Sequence, residues 1–364
     1  MKSRLLHSSG DLIGERYRIA RYVGEGGMQE VYLARDLHLH RDVAIKTPKN
    51  TSADKRFGRS AVVSARVNHP NVAKTLDYLN DGDAQYLVEE FIDGLDIKKG
   101  LLEPFFALDP SLVAKILHHL AKGLAASHRA DVIHRDLKPS NVMFVGGPEV
   151  HELKITDFGI AKMASEEIDD AVVGGDETMS ASKTVVGALP YMAPEVLKPH
   201  GSAGMASDIW AVGAMIYELL TGDPPYGRGL GAVGKIQQAE IPERPIRFPG
   251  RTQFNPLVND LADIIVQCLS PSPGDRPSAQ ELSARCADLC YTVSERRFGE
   301  CIFVHPSGAY GEIRDEDGNK VFFNNKSVYG PKLTVGTKVC FSCFPGHPNP
   351  RAHPVLLLNQ EDRS

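Results

Sequence analysis

H-R-D-L-K-P-S-N, His134 to Asn141, followed by a short apolar strand pattern and then D-F-G, Asp157 to Gly159, is the stretch that decides how this chain reads. Its chemistry can be taken residue by residue. Asp136 offers a carboxylate able to accept a hydroxyl proton. Lys138, two positions on, can neutralise a phosphate. Asn141 and Asp157 offer hard oxygen ligands, few in number, of the kind that suits Mg²⁺ sharing its coordination with phosphates. A carboxylate, a cation and Mg²⁺ ligands are the parts that move a phosphoryl group, a reaction in which positioning and charge stabilisation do most of the catalysis.

The stretch resembles the catalytic and metal loops of the eukaryotic-type protein kinases found in bacteria. That resemblance implies an α+β, bilobal fold with a β-rich small lobe and an α-rich large lobe. It also implies ATP and Mg²⁺ as cofactors, proteins as substrates, and transfer to Ser/Thr hydroxyls, the chain's own activation loop included. In its terms Asp136 and Lys138 are catalytic, and Asn141 and Asp157 hold the metal.

Upstream, residues 15–47 alternate apolar and polar as strands do, around a glycine-rich turn G-E-G-G-M-Q-E-V, Gly24 to Val31. Gly24, Gly26 and Gly27 let a backbone approach phosphate oxygens. A glycine turn alone is equally a plain hairpin. The kinase pattern G-x-G-x-x-G-x-V is met at Gly24, Gly26 and Val31, but Gln29 stands at its third glycine, where a tight turn should tolerate it poorly. V-A-I-K, Val43 to Lys46, then brings an ammonium to the end of an apolar strand, costly to bury unless it meets an anion. The resemblance makes that anion the nucleotide phosphates together with a glutamate on the next helix. Aligned on N-H-P-N (Asn68 to Asn71), that helix has Ser60 in the glutamate's place, and no acidic residue lies from Lys55 to Pro70.

Q-Y-L-V-E-E-F-I-D-G, Gln85 to Gly94, resembles the kinase hinge. Glu90 and Phe91 fall on the backbone that would hold adenine, with Val31, Ala44 and Met143 as further cofactor-binding positions. Glu89 falls at the back of the pocket, where a carboxylate is penalised unless paired. One carboxylate lost and one gained in the same pocket suggest Glu89 as the counter-ion of Lys46. The alternative is a register shifted by one, with Glu89 facing solvent.

Beyond Gly159 a run of small and hydroxyl residues leads to A-P-E, Ala193 to Glu195. It reads as a flexible loop or, by resemblance, as an activation segment with Thr178, Ser180, Ser182 and Thr184 as phosphorylation candidates. A phosphate there adds about two negative charges that Arg135 could bind. Ala188 replaces a threonine that in Ser/Thr kinases bonds the catalytic Asp and Lys. Apolar residues at helical spacing (Leu112, Ile116, Leu120, Leu124) predict a long helix leading to His134. His118 and His119, adjacent on it, read as packing or surface residues. Asp208 resembles the acid that braces the catalytic loop, and Arg276 the partner of Glu195. Asn255 to Leu269 and Ser278 to Leu289 read as closing helices, with Cys286 and Cys290 as core thiols on one helix face.

From about Arg296 the pattern changes to short strands separated by Gly, Asp and Asn turns, which suggests a small five-stranded barrel. Its order resembles a cold-shock domain, an OB-type fold. That likeness implies Tyr310 and Phe322 as base-stacking aromatics, with Glu312 and Asn324 replacing two others. Nine Lys/Arg against eight Asp/Glu from Glu295 onward leave no strong electrostatic footprint for nucleic acid. Single-stranded nucleic acid, a protein partner, or regulation of the kinase therefore all stay open. Cys340 and Cys343 form a C-x-x-C near His347 and His353, but one such pair at strand spacing is a poor zinc signal.

The expected organisation is an N-terminal extension (1–14), a kinase domain (15–292), a linker (293–297) and the barrel (298–360). With 42% hydrophobic and 24% charged residues over 364 positions, the composition is that of a globular protein of two domains. A net charge of −5 points to no general nucleic-acid or membrane partner. No apolar run approaches the roughly 20 residues of a membrane span. With six irregularly spaced cysteines and no leader-like start, a cytoplasmic location is expected. The rival to an active kinase is a pseudokinase or ATP-binding scaffold, for which Gln29, Ser60 and Ala188 argue.

Overall fold

The computed structural model describes residues 5–25, 29–49, 54–158, 187–198, 201, 203–238 and 255–359. The small lobe is an antiparallel sheet of β1 (Leu12–Ile13), β2 (Tyr17–Glu25), β3 (Gln29–Asp36), β4 (Arg41–Pro48), β5 (Thr75–Asp81) and β6 (Ala84–Glu90). The strands run in the order β1-β2-β3-β4-β6-β5. Alternation sorts the side chains. Tyr17, Ile19, Tyr32, Val43, Ile45, Tyr86 and Val88 form one apolar layer. Leu87 faces the other way, under Phe57 and Ala61 of α1 (Asp54–Ser64). Glu89 and Leu87 share a face, as do Ala44 and Lys46. The β4–β6 register sets Ala44 opposite Glu89 and Lys46 opposite Leu87. Lys46 and Glu89 are thereby diagonal neighbours on one face. Ahead of the sheet, the Leu6 N–H donates to Glu30 Oε2 at 3.1 Å, so the leading segment packs on the lobe from there onward.

In the large lobe, β7 (Leu95–Asp96) precedes α2 (Pro110–Arg129). The Asp109 carboxylate accepts the Leu112 N–H at 3.2 Å and Pro110 opens the first turn, which together start the helix. The expected stripe of Leu112, Ile116, Leu120 and Leu124 is buried. Next come β8 (Val142–Val145) and β9 (Glu152–Ile155), which form a small sheet with β7. Then follow α3 (Met205–Thr221), α4 (Gly231–Gln238), α5 (Asn255–Cys268) and α6 (Ala279–Ala287). Gly222 ends α3 at φ +89°, and a Cβ there would sit 2.3 Å from the Phe106 carbonyl oxygen. A reciprocal Ser278–Glu281 capping box starts α6. Because α6 stops at Ala287, Cys286 alone of this pair is a core thiol. Cys290 lies past the helix and is exposed, which corrects the pairing of the two on one helix face.

The C-terminal strands are β10 (Arg297–Val304), β11 (Tyr310–Asp315), β12 (Lys320–Asn324), β13 (Val328–Tyr329), β14 (Lys338–Phe344) and β15 (Arg351–Leu357). The order β12-β11-β10-β14-β15 is closed by a β12–β15 pairing into a five-stranded barrel, with β13 added to β15. Ile313, Val321, Phe323, Val339, Phe341 and Val355 fill it.

The barrel is fastened to the large lobe. Tyr329, Cys340 and Leu356 enter the large-lobe core. The Asn359 N–H donates to the Pro104 carbonyl at 2.7 Å and the Phe106 N–H to that of Leu357 at 3.3 Å. Between the two units, Arg296 is buried. Its Nη2 donates to Asp109 Oδ2 at 2.5 Å and its backbone N–H to Glu149 Oε1 at 2.6 Å.

Candidate active site

Asp136 and its neighbours are held by a ladder of buried polar contacts. Asp208, on α3, accepts the N–H groups of His134 and Arg135, each at 2.8 Å, and takes His128 Nε2 at 2.9 Å. His134, fully buried, places its Nε2 2.8 Å from the Thr156 carbonyl and packs at a tilt against the Phe158 ring, centroids 4.8 Å apart. The catalytic loop and the Asp157 loop are thus tied to one another and to α3. Arg135 and Asp157 adopt left-handed backbone (φ +69° and +64°), strained for non-glycine residues.

Within that frame Lys138 Nζ lies 2.7 Å from Asp136 Oδ2. Asn141 Nδ2 donates to the Asp136 carbonyl at 2.8 Å and to Asp136 Oδ2 at 3.2 Å. With its nitrogen so engaged, Asn141 keeps its amide oxygen as an acceptor.

Across the cleft Lys46 Nζ lies 2.6 Å from Glu89 Oε2 and 2.7 Å from Asp157 Oδ1. Glu89 is buried, so its side chain faces the pocket and not solvent. Burial opposes the Lys46 charge, but Asp157 and then Glu89 outweigh it and raise the ammonium pKa. Burial raises the Glu89 carboxyl above its ordinary range against the pull of Lys46. Asp157 ends below its ordinary range because Lys46 overcomes its burial. The split follows the neighbours: Asp157 also faces His134 and the Gln29 amide, whereas Glu89 faces the carboxylates of Asp157 and Glu90. Two carboxylates share one ammonium, and the site carries an excess of negative charge.

Val31 lies opposite Lys46 in the β3–β4 register, and Ala44 opposite Glu89. Met143 on β8 is half-buried between Val142 and Phe144, which enter the large-lobe core. Around Gly24 a Cβ would meet nothing within 4 Å. Gly26 and Gly27 lie outside the described residues, as do Thr178, Ser180, Ser182 and Thr184. Glu90 is engaged within the protein: Lys154 Nζ lies 2.8 and 2.9 Å from its carboxylate oxygens, and its N–H donates to the Lys74 carbonyl. Phe91 follows it at the strand end, half-buried.

Gln29 is the residue that sequence reasoning misjudged. It is the buried first residue of β3, so position 29 lies in a strand and not in the turn. Its Nε2 donates to Asp157 Oδ1 at 3.1 Å. Elsewhere, Glu195 accepts from Arg276 at 2.7 and 2.9 Å. Burial opposes ionisation of Glu195, yet the arginine holds its carboxyl below the usual range. Ala188 lines a small recess with Arg135, Asp136 and Asp208. His118 contacts the Tyr291 hydroxyl and His119 the Asn71 amide. Among the described residues no helix is long and apolar enough to cross a membrane, and no cluster of three or more His, Cys, Asp or Glu could hold a metal.

A bilobal fold with a braced H-R-D loop, a lysine on the third long strand and a metal-loop aspartate defines a protein kinase. The protein kinase domain family matches residues 17–285, and the chain belongs to that family. It is 32% identical over 301 residues to the serine/threonine-protein kinase PrkC of Bacillus subtilis, a match covering 79% of this chain and 43% of that one. It is 31% identical over 285 residues to PknB of Mycobacterium tuberculosis, covering 75% and 42%. With pkn3 of Myxococcus xanthus the identity is 34% over 301 residues, covering 79% and 52%. The chain therefore spans about half the length of these curated relatives, or less. In fold it is similar to the crystal structure of the Mycobacterium tuberculosis PknI kinase domain (C20A mutant). There the TM-score is 0.56 and the identity 23%, with 78% of this chain and 99% of that one covered.

Proposed function

We propose that the chain transfers the γ-phosphoryl group of ATP to serine or threonine hydroxyls of proteins, its own activation segment among them. The observation that carries this reading is the anchoring of Asp136 by Lys138 at 2.7 Å and Asn141 at 2.8 Å, which gathers base, cation and oxygen ligand at one point. Asp136 accepts the substrate hydroxyl proton, and Lys138 offsets charge on the transferring group. Asn141 and Asp157 are the metal ligands. Lys46 serves the nucleotide phosphates, and Glu89 keeps it charged and aimed in place of a helix glutamate.

The donor set fits a hard divalent cation: the oxygens are carboxylate or carboxamide, and two carboxylates share one ammonium. Bound Mg²⁺–ATP supplies the phosphoryl group and neutralises charge that develops on it. The scaffold alternative is weakened because Gln29 lies within strand β3 and Lys46 has a carboxylate despite Ser60. Incubation with labelled ATP and Mg²⁺ beside Asp136→Asn tests the reading. Loss of label by about 10²-fold or more in the variant supports it. Equal label, or none in either protein, overturns it.

A second reading concerns the barrel, taken as a cold-shock-like module that binds unpaired bases. His305 stacks on Tyr310 with ring centroids 4.5 Å apart, and Tyr310 on Phe322 at 5.6 Å. The Arg351 guanidinium lies 5.1 Å over Phe322. A continuous π-surface of this kind accepts bases whatever their sequence. Fluorescence anisotropy with single-stranded RNA should show binding that weakens about tenfold in Phe322→Ala, within the worth of one stacked base. No binding by the full chain would remove this reading and favour a protein partner.

A further inference from the structure

We propose that Gln29 is a positioning residue for Asp157: it holds the metal-binding carboxylate in register from the place where the family pattern has a glycine. The inference rests on the reading of Asp157 as a metal ligand. Gln29 is the first residue of β3 and 6% exposed, with its Cα opposite Pro48. Its Nε2 reaches across 128 positions of sequence to donate to Asp157 Oδ1 at 3.1 Å.

Three features argue that this contact acts on the carboxylate. Asp157 has left-handed backbone at φ +64°, so its orientation depends on outside restraint. Lys46 and Gln29 donate to the same oxygen, whereas Oδ2 accepts only from Thr156 Oγ1, at 3.3 Å, among the described residues. That arrangement leaves Oδ2 as the oxygen with more capacity to accept a cation. Finally, the two donors differ in kind. Lys46 has a second duty toward the phosphates, and its charge competes with a metal ion at Asp157. Gln29 is neutral and can keep Oδ1 in place when Lys46 turns to the nucleotide. Gln29 Oε1 is buried without a partner among the described residues, so the donor end is what holds the carboxamide there. Hydrogen bonds to metal-ligating carboxylates from outside the coordination shell commonly govern metal affinity by 10–100-fold.

The test uses the full chain and a fluorescent ATP analogue, with binding titrated against Mg²⁺. Gln29→Met keeps the volume and removes the donor. Gln29→Gly restores the family residue and serves as a second variant should Met disturb the strand. The expected result is unchanged analogue affinity without Mg²⁺ and a half-saturating Mg²⁺ concentration raised about tenfold in both variants. Equal Mg²⁺ response in wild type and variants overturns the inference while leaving the site reading intact. Equal weakening with and without Mg²⁺ also overturns it, since Gln29 would then act on the nucleotide or on the turn. Wild-type binding indifferent to Mg²⁺ would remove the site reading itself, and this inference with it.

Discussion

Two of the buried cations, Lys46 and Arg296, are built on opposite terms. Lys46 faces two carboxylates, Glu89 and Asp157, in a cleft where Asp157 remains one-quarter exposed. Arg296 faces one, Asp109, with side-chain exposures of 1% and 4%. Its Nε and Nη1 are buried and have no partner among the described residues. The first centre has negative charge to spare and an opening, which suits a site that admits a cation and phosphates. The second pairs one guanidinium with one carboxylate, is sealed, and adds a backbone bond to Glu149, which suits a fastener between the large lobe and the barrel. A buried ion pair adds little net stability over apolar packing, but removing one partner is costly.

The largest expected effect is at the fastener. Arg296→Ala should lower the unfolding free energy by about 3–5 kcal/mol in urea titrations, because Asp109 is left buried and unpaired. Nucleotide affinity should stay within about twofold, as expected for independent distant sites. A parallel loss of affinity would break the separation of the two centres. Lys46→Met should cut phosphoryl transfer by about 10²–10³-fold. Combined with Glu89→Leu, it should regain part of the stability lost in Lys46→Met while transfer stays low, because the buried Lys46–Glu89 pair is then apolar while Asp157 still lacks its counter-ion.

Glu89→Gln is expected to weaken ATP binding by about tenfold, the worth of one charge-assisted contact of roughly 1.4 kcal/mol. Unchanged affinity would mean Asp157 alone suffices for Lys46. The smallest effects are in pH dependence, and they carry opposite signs. Glu89 has a raised folded pKa, so the native state binds more protons than the unfolded one above about pH 4.3. The stability of wild type relative to Glu89→Gln should therefore fall as pH rises through that window. Asp157 has a lowered folded pKa, so its contribution is present above about pH 3.9 and lost as pH falls. Stability relative to Asp157→Asn should therefore rise with pH. Each slope is bounded by about 1.4 kcal/mol per pH unit, one proton's worth. Slopes of the same sign would contradict the split between the two carboxylates.

Much of the site was legible because its residues lie close together in sequence. Asp136, Lys138 and Asn141 fall within six positions, and their mutual contacts follow from one loop. The long helix was equally legible, since the stripe of Leu112, Ile116, Leu120 and Leu124 follows from a local helical period. Glu89 was readable only as a coincidence of one lost and one gained carboxylate, and its partner depended on strand parity. Gln29 was misjudged because its place was inferred from a turn pattern, while the structure puts it in a strand. Cys290 was misassigned because the apolar pattern did not reveal that α6 ends at Ala287. Nothing near Arg296 in sequence announced a buried ion pair in what read as a linker.

The sequence by itself determined which groups can act: a base, two ammonium groups, oxygen ligands, and alternating strands that choose a face for each side chain. Those properties are local, set by side-chain chemistry and by periods of two and 3.6 residues. Only the tertiary structure decided which carboxylates meet Lys46, what holds Asp157, and where the barrel is fastened. Those contacts join residues 111, 128 and 187 positions apart. No local period connects such distances, and strand register with lobe packing had to bring the partners together.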